Sequence, residues 1–81
     1  MVLGVYSLII SADTVEERVE VRSILKNYSY LALREDCNEK IVLFDHDLQY
    51  IAAYTELKDK FRNQLSLNAT FITVVKINSY Q

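Results

Sequence analysis

The stretch "YSYLALREDCNEKIVLFD" occupies residues 28–45. Within it, Tyr30 to Glu35 and Lys40 to Asp45 are aromatic and aliphatic enough to read as strands. Asp36, Cys37 and Asn38 part them as a short polar turn. This is a hairpin signal, made without glycine. What lies on either side of that hairpin decides the fold.

Upstream stands "VLGVYSLIIS", residues 2–11, a strand by its content. A half-buried strand alternates apolar with polar. This one is apolar on both sides, so both of its faces need cover. Asp13-Thr14-Val15-Glu16 then reads as a helix start. Asp13 can cap, with Glu16 three residues on, and acids in the first turn suit the helix dipole. Val21, Ile24, Leu25 and Tyr28 follow at i, i+3, i+4, i+7 spacing, with Val15 and Val19 before them, and the helix runs to about Asn27.

Downstream, Asp45 and Asp47 offer caps for a second helix through "LQYIAAYTELKDKFRNQL". Its apolar stripe is Tyr50, Tyr54, Leu57, Phe61 and Leu65, flanked by Leu48 and Ile51. Lys58, Lys60 and Arg62 sit late in it, as the dipole prefers. Ser66 to Ala69 is a joint, and "TFITVVKI", residues 70–77, is a last β-branched strand.

The order is βαββαβ. It predicts an α+β, ferredoxin-like domain over residues 1–81, with a four-stranded antiparallel sheet and two helices on one face. The first and third strands are the most continuously apolar, so they take the centre. Arg34, Glu35 and Lys76 place charge on the second and fourth strands, where it blunts sheet edges.

Two helices on one face leave the other face open. Alternation sorts each strand into two sets. Tyr6, Leu8 and Ile10 oppose Val5, Ser7 and Ile9; Ile41 and Leu43 oppose Val42 and Phe44; Phe71, Thr73, Val75 and Ile77 oppose Thr70, Ile72 and Val74. Either choice leaves about six apolar side chains on an open area of roughly 400 Å², as large as the largest patch of a typical soluble monomer. Val5, Ile9, Tyr30, Val42, Phe44, Ile72 and Val74 are the expected interface. Self-association as a homodimer, or docking on a protein partner, is the expected use.

Composition narrows the remaining classes. The chain has 81 residues, 51% hydrophobic and 25% charged, with net charge −2, no proline, and Gly4 as its one glycine. No basic excess marks a broad nucleic-acid footprint, and one glycine cannot make a phosphate-cradling loop. Base stacking needs aromatics with basic neighbours on the central strands; only Tyr6 and Phe44 are there, nearly without Lys or Arg. Cys37 stands alone, so no intrachain disulfide forms, and a reducing, cytoplasmic setting is expected. The apolar start has no preceding Lys or Arg and no cleavage site after it, which predicts no secretory signal. Asn27-Tyr28-Ser29 and Asn68-Ala69-Thr70 match the glycosylation triplet by chance on that reading. No run approaches the roughly 20 apolar residues of a membrane span.

Three features look like chemistry. Asp45-His46-Asp47 holds two carboxylates and the one imidazole, groups that bind divalent metals. Being consecutive at a strand-to-helix joint, they diverge, and capping accounts for both acids. Cys37 has acids at Glu35, Asp36 and Glu39, which disfavour a thiolate nucleophile. Six tyrosines are many for this length; Tyr28, Tyr30, Tyr50 and Tyr54 suit a groove or interface, although helical spacing puts Tyr50 and Tyr54 in the core.

Asp13, just past the first strand, is the third feature. This element order with an Asp there resembles the Cas2 and VapD type of small dimeric nuclease. In that family the acid directly follows the strand, often after Tyr. Here Ser7 follows Tyr6, and Asp13 comes after Ser11-Ala12. The resemblance implies a metal-dependent nuclease with Asp13 of two subunits holding the ion. The residues themselves favour a non-catalytic interaction or regulatory module without a cofactor. Its size and acidity also suit a small inhibitor encoded by a phage or mobile element. A small-ligand sensor is the third class.

Overall fold

A computed structural model describes residues 2–62 and 64–75, with side chains within 4–62 and 64–71. The chain runs β1 (Val2–Ser11), α1 (Val15–Leu25), β2 (Ala32–Asp36), β3 (Glu39–Phe44), α2 (Asp47–Phe61) and β4 (Ser66–Val75). The strands form one antiparallel sheet in the order β2-β3-β1-β4. With two helices, this is the ferredoxin-like α+β fold, with the first and third strands at its centre.

The hairpin turns on two residues. Asp36 pairs with Glu39, which leaves Cys37 and Asn38 as the loop. Cys37 takes a positive φ of 39°. Positive φ at the first loop position is what the primed two-residue turns use, and their twist matches the flanking strands. The Asn38 carbonyl accepts the Ala12 N–H at 2.9 Å, which ties the loop to the end of β1.

The cap of α1 lies one residue later than the Asp13–Glu16 pair. Thr14 is extended, at φ −107° and ψ 156°, and its hydroxyl accepts the Glu17 N–H at 3.1 Å. Glu17 Oε1 accepts the N–H groups of Thr14 at 3.3 Å and Asp13 at 3.2 Å. Thr14 and Glu17 thus make the reciprocal capping box. His46, neither Asp45 nor Asp47, is the N-cap of α2, and no side chain bonds there.

The second helix ends at Phe61 rather than Leu65, and β4 begins at Ser66 rather than residue 70. Arg62 closes the helix at φ 52° and ψ −109°, its N–H donating to the Lys58 carbonyl at 2.7 Å. A side chain in that region carries strain of about 1–2 kcal/mol. Glycine removes it, less the freedom glycine adds to the unfolded chain, so Arg62→Gly is expected to stabilise by about 0.5–1 kcal/mol. That corresponds to a thermal midpoint raised by roughly 2–8 °C, read by scanning calorimetry. An unchanged midpoint means the backbone is relaxed there.

Register fixes which side of each strand is inside. Leu8 pairs with Val42, Tyr6 with Phe44 and Ile10 with Lys40. Leu8, Ile10, Val42 and Phe44 are buried under the helices, with Val21, Ile24 and Leu25 from α1 and Ala53, Leu57 and Phe61 from α2. The helix stripes are therefore met in part: Tyr28, Tyr50 and Tyr54 pack against this core, whereas Val15, Val19, Leu48 and Ile51 are exposed. Along the same layer runs a file of rings. Phe71 lies 4.6 Å from Tyr6, Tyr6 4.9 Å from Tyr50, Tyr50 6.2 Å from Phe44, and Phe44 6.4 Å from Tyr30. Gly4 makes room for it, because a Cβ there would stand 2.6 Å from Phe71 Cε1.

Candidate interaction surface

The same register composes the opposite face. Ile9 pairs with Ile41 and Ser7 with Leu43 across β1 and β3. Leu43 pairs with Ala32 and Ile41 with Arg34 across to β2. On the other flank Ile9 pairs with Asn68, Ser7 with Thr70 and Val5 with Ile72. Val5, Ile9, Ile41 and Leu43 are half-buried, and Ser7 between them is 6% exposed. Four large aliphatic side chains thus lie together on the two central strands, on the side the helices leave bare. Arg34 bounds them on β2, and Asn68 and Thr70 on β4.

This corrects the expected interface. Val42 and Phe44 are 0% exposed and belong to the helix-facing core, because they share parity with Leu8 and Tyr6 through the β1–β3 pairing. Ile41 and Leu43 take their place beside Val5 and Ile9. Tyr30 lies outside the strands and sits edge-on to Phe44, so it borders the core layer and not the open face. The side chains of Ile72 and Val74 lie outside those described, as do Lys76 and Ile77.

The chemistry-bearing residues are scattered. Asp13 is exposed in the turn that caps α1. His46 Nε2 stands 3.9 Å from Asp45 Oδ1, both side chains largely exposed, and Asp47 begins α2. Among the described residues, no three His, Cys, Asp or Glu side chains gather as a metal-holding group.

One charged cluster escaped the sequence reading. Glu35 accepts from Arg22 through both oxygens, at 3.2 Å to Nε and 2.5 Å to Nη2. Lys40 lies 3.4 Å from the same carboxylate and is only 5% exposed. The Arg22 hydrogen bonds, opposed by burial and aided by the Lys40 charge, hold the Glu35 carboxyl below its ordinary range. The signal was present: a two-residue loop after Asp36 sets Glu35 opposite Lys40. These groups border a concavity of about 330 Å³ that also holds Arg18 and exposed Cys37. Each cation there is engaged, Arg18 with the Ala12 carbonyl at 2.8 Å, so the cluster clips α1 to the hairpin.

Elsewhere the helices are tied by polar contacts at their surface. Tyr28 donates to Glu56, which raises the phenol's pKa, and Lys60 lies 3.0 Å from Glu20. Burial, with Tyr54 and Tyr6 beside it, pushes Tyr50 up as well. Among the described residues, no helix is long and apolar enough to cross a membrane. No protein-family model matches the chain, and no curated protein matches it.

Proposed function

We propose that this chain is a small non-catalytic interaction module that works by covering its open sheet face, with a second copy as a homodimer or with a protein partner. The reading is supported by one observation: Val5, Ile9, Ile41 and Leu43 form an aliphatic cluster on the central strands, on the side opposite both helices. A reducing cytoplasm suits it, since Cys37 has no partner thiol in the chain.

Magnitudes set how firmly the face associates. Fully burying an aliphatic side chain is worth about 1.5–3 kcal/mol, so completing a half-buried one gives about 1 kcal/mol. Eight such side chains across a two-fold axis give about 8 kcal/mol. That is comparable to the roughly 4–15 kcal/mol lost in immobilising two bodies. The assembly therefore dissociates on dilution, with the rim deciding its affinity.

Ile9→Glu and Ile41→Glu each place a carboxylate in the centre of the cluster. Light scattering across a dilution series is expected to show wild-type mass falling toward that of one chain. Each variant is expected to have lost open-face association at every concentration, with unchanged far-ultraviolet circular dichroism. Variants that assemble like wild type would place the contact elsewhere.

A further inference from the structure

The two edges of the sheet are unlike. β2 is five residues long and carries Arg34, Glu35 and Asp36. Shortness and charge are the means by which natural edges deter pairing. β4 is ten residues long, and SLNATFITVV contains neither a charge nor a proline. Its ladder with β1 runs from Ser66 against Ser11 to Val75 against Val2 with no inserted residue, so no bulge turns the edge away. Lys76, the charge expected to guard this strand, lies outside the described residues. Asn68, Ala69, Thr70 and Phe71 are exposed, and β4 is last in the sheet.

We propose that the outer edge of β4 pairs antiparallel with the same edge of a second copy. An uncharged strand has nothing with which to select a partner by charge. It offers backbone N–H and C=O groups at even spacing, and an identical strand turned about a two-fold axis normal to the sheet matches them without opposing like charges. The product is an eight-stranded sheet with all helices on one side. The two open faces then lie side by side on the other, doubling the apolar area there. This interface is separate from the open-face contact. Where both operate with their two-fold axes crossing at right angles, the assembly closes at four chains.

Ala69→Lys separates the two interfaces. Ala69 pairs with Leu8, on the helix-facing side of β4, so a lysine there charges the edge and leaves the open face untouched. Lysine is also the residue by which natural edges block pairing. In light scattering, Ala69→Lys is expected to halve the wild-type mass, Ile9→Glu to halve it likewise, and the double variant to give the 9.4 kDa chain. Wild-type mass in Ala69→Lys, with Ile9→Glu alone giving the single chain, overturns edge pairing and leaves the open-face reading standing. The reverse result overturns the open-face reading and supports the edge. Amide exchange of wild type gives a second readout that needs no variant. Consecutive protection from Asn68 through Phe71 is expected, because a paired edge protects both sides of the strand. Protection of alternate amides only, as in a free edge, overturns the proposal.

Discussion

Replacing Phe44 with alanine is expected to remove about 3–5 kcal/mol of folding stability. The ring is fully buried, and Tyr30 and Tyr50 meet it edge-on, so little can collapse into the space it leaves. A domain of this length holds roughly 4–12 kcal/mol in all. The variant therefore keeps from about none to about 9 kcal/mol, and its urea midpoint is expected to fall well below that of wild type. Urea titration followed by circular dichroism measures this. A variant that folds with a near-native midpoint and differs only in its mass would return Phe44 to the outer surface. Ile41→Ala, on the half-buried side of the same strand, is the companion. It is expected to cost clearly less, because its side chain is only partly withdrawn from water.

The second large effect concerns Lys40. Its ammonium is withdrawn from solvent and has Glu35 as its carboxylate partner. Glu35→Ala leaves that charge uncompensated. Removing one member of a fully buried pair costs about 3–5 kcal/mol. Glu35 is about a third exposed and water can approach it, so on the order of 2 kcal/mol is expected here. Lys40→Met, which removes the charge and keeps the volume, is expected to be near neutral or stabilising. The contrast between the two variants is the measurement. Equal losses in both would mean that the lysine stem, rather than its charge, carries the contribution.

The pH dependence follows from the same carboxylate. Its folded pKa lies below the usual glutamate value of 4.5. A depressed pKa adds stability above the unfolded value, and that stability is lost as pH falls through the folded one. Wild type is therefore expected to weaken as pH drops from about 5, and Glu35→Gln to show a shallower acid limb over that window. Parallel acid limbs would remove Glu35 from the explanation.

The element order could be read from the chain because each signal is local. The hairpin needs only a polar break between two apolar runs, and α1 shows itself in the spacing of Val21, Ile24 and Leu25. What failed was non-local. Nothing within β1 or β3 says which parity meets the helices. The choice depends on Ile9 standing opposite Ile41, a pairing between segments some thirty residues apart in sequence. Once that register is known, Val42 and Phe44 move from the open face to the core, and Ile41 and Leu43 move out. The caps failed differently. Asp13–Glu16 and Thr14–Glu17 both have the right spacing, and only the extended backbone at Thr14 chooses between them. The start of β4 was hidden because Ser66, Asn68 and Ala69 have little strand preference of their own; pairing along the whole length of β1 overrides it.

The file of rings from Phe71 to Tyr30 also equips the molecule with an optical signature. The chain has no tryptophan, so its near-ultraviolet dichroism and its emission come from tyrosine, with phenylalanine a minor contributor to the dichroism. Tyr6 and Tyr50 are stacked where β1 meets α2, in an asymmetric setting that exists only while sheet and helix stay docked. Loss of that band, ahead of the helical signal, would time the undocking of the two layers without any attached dye.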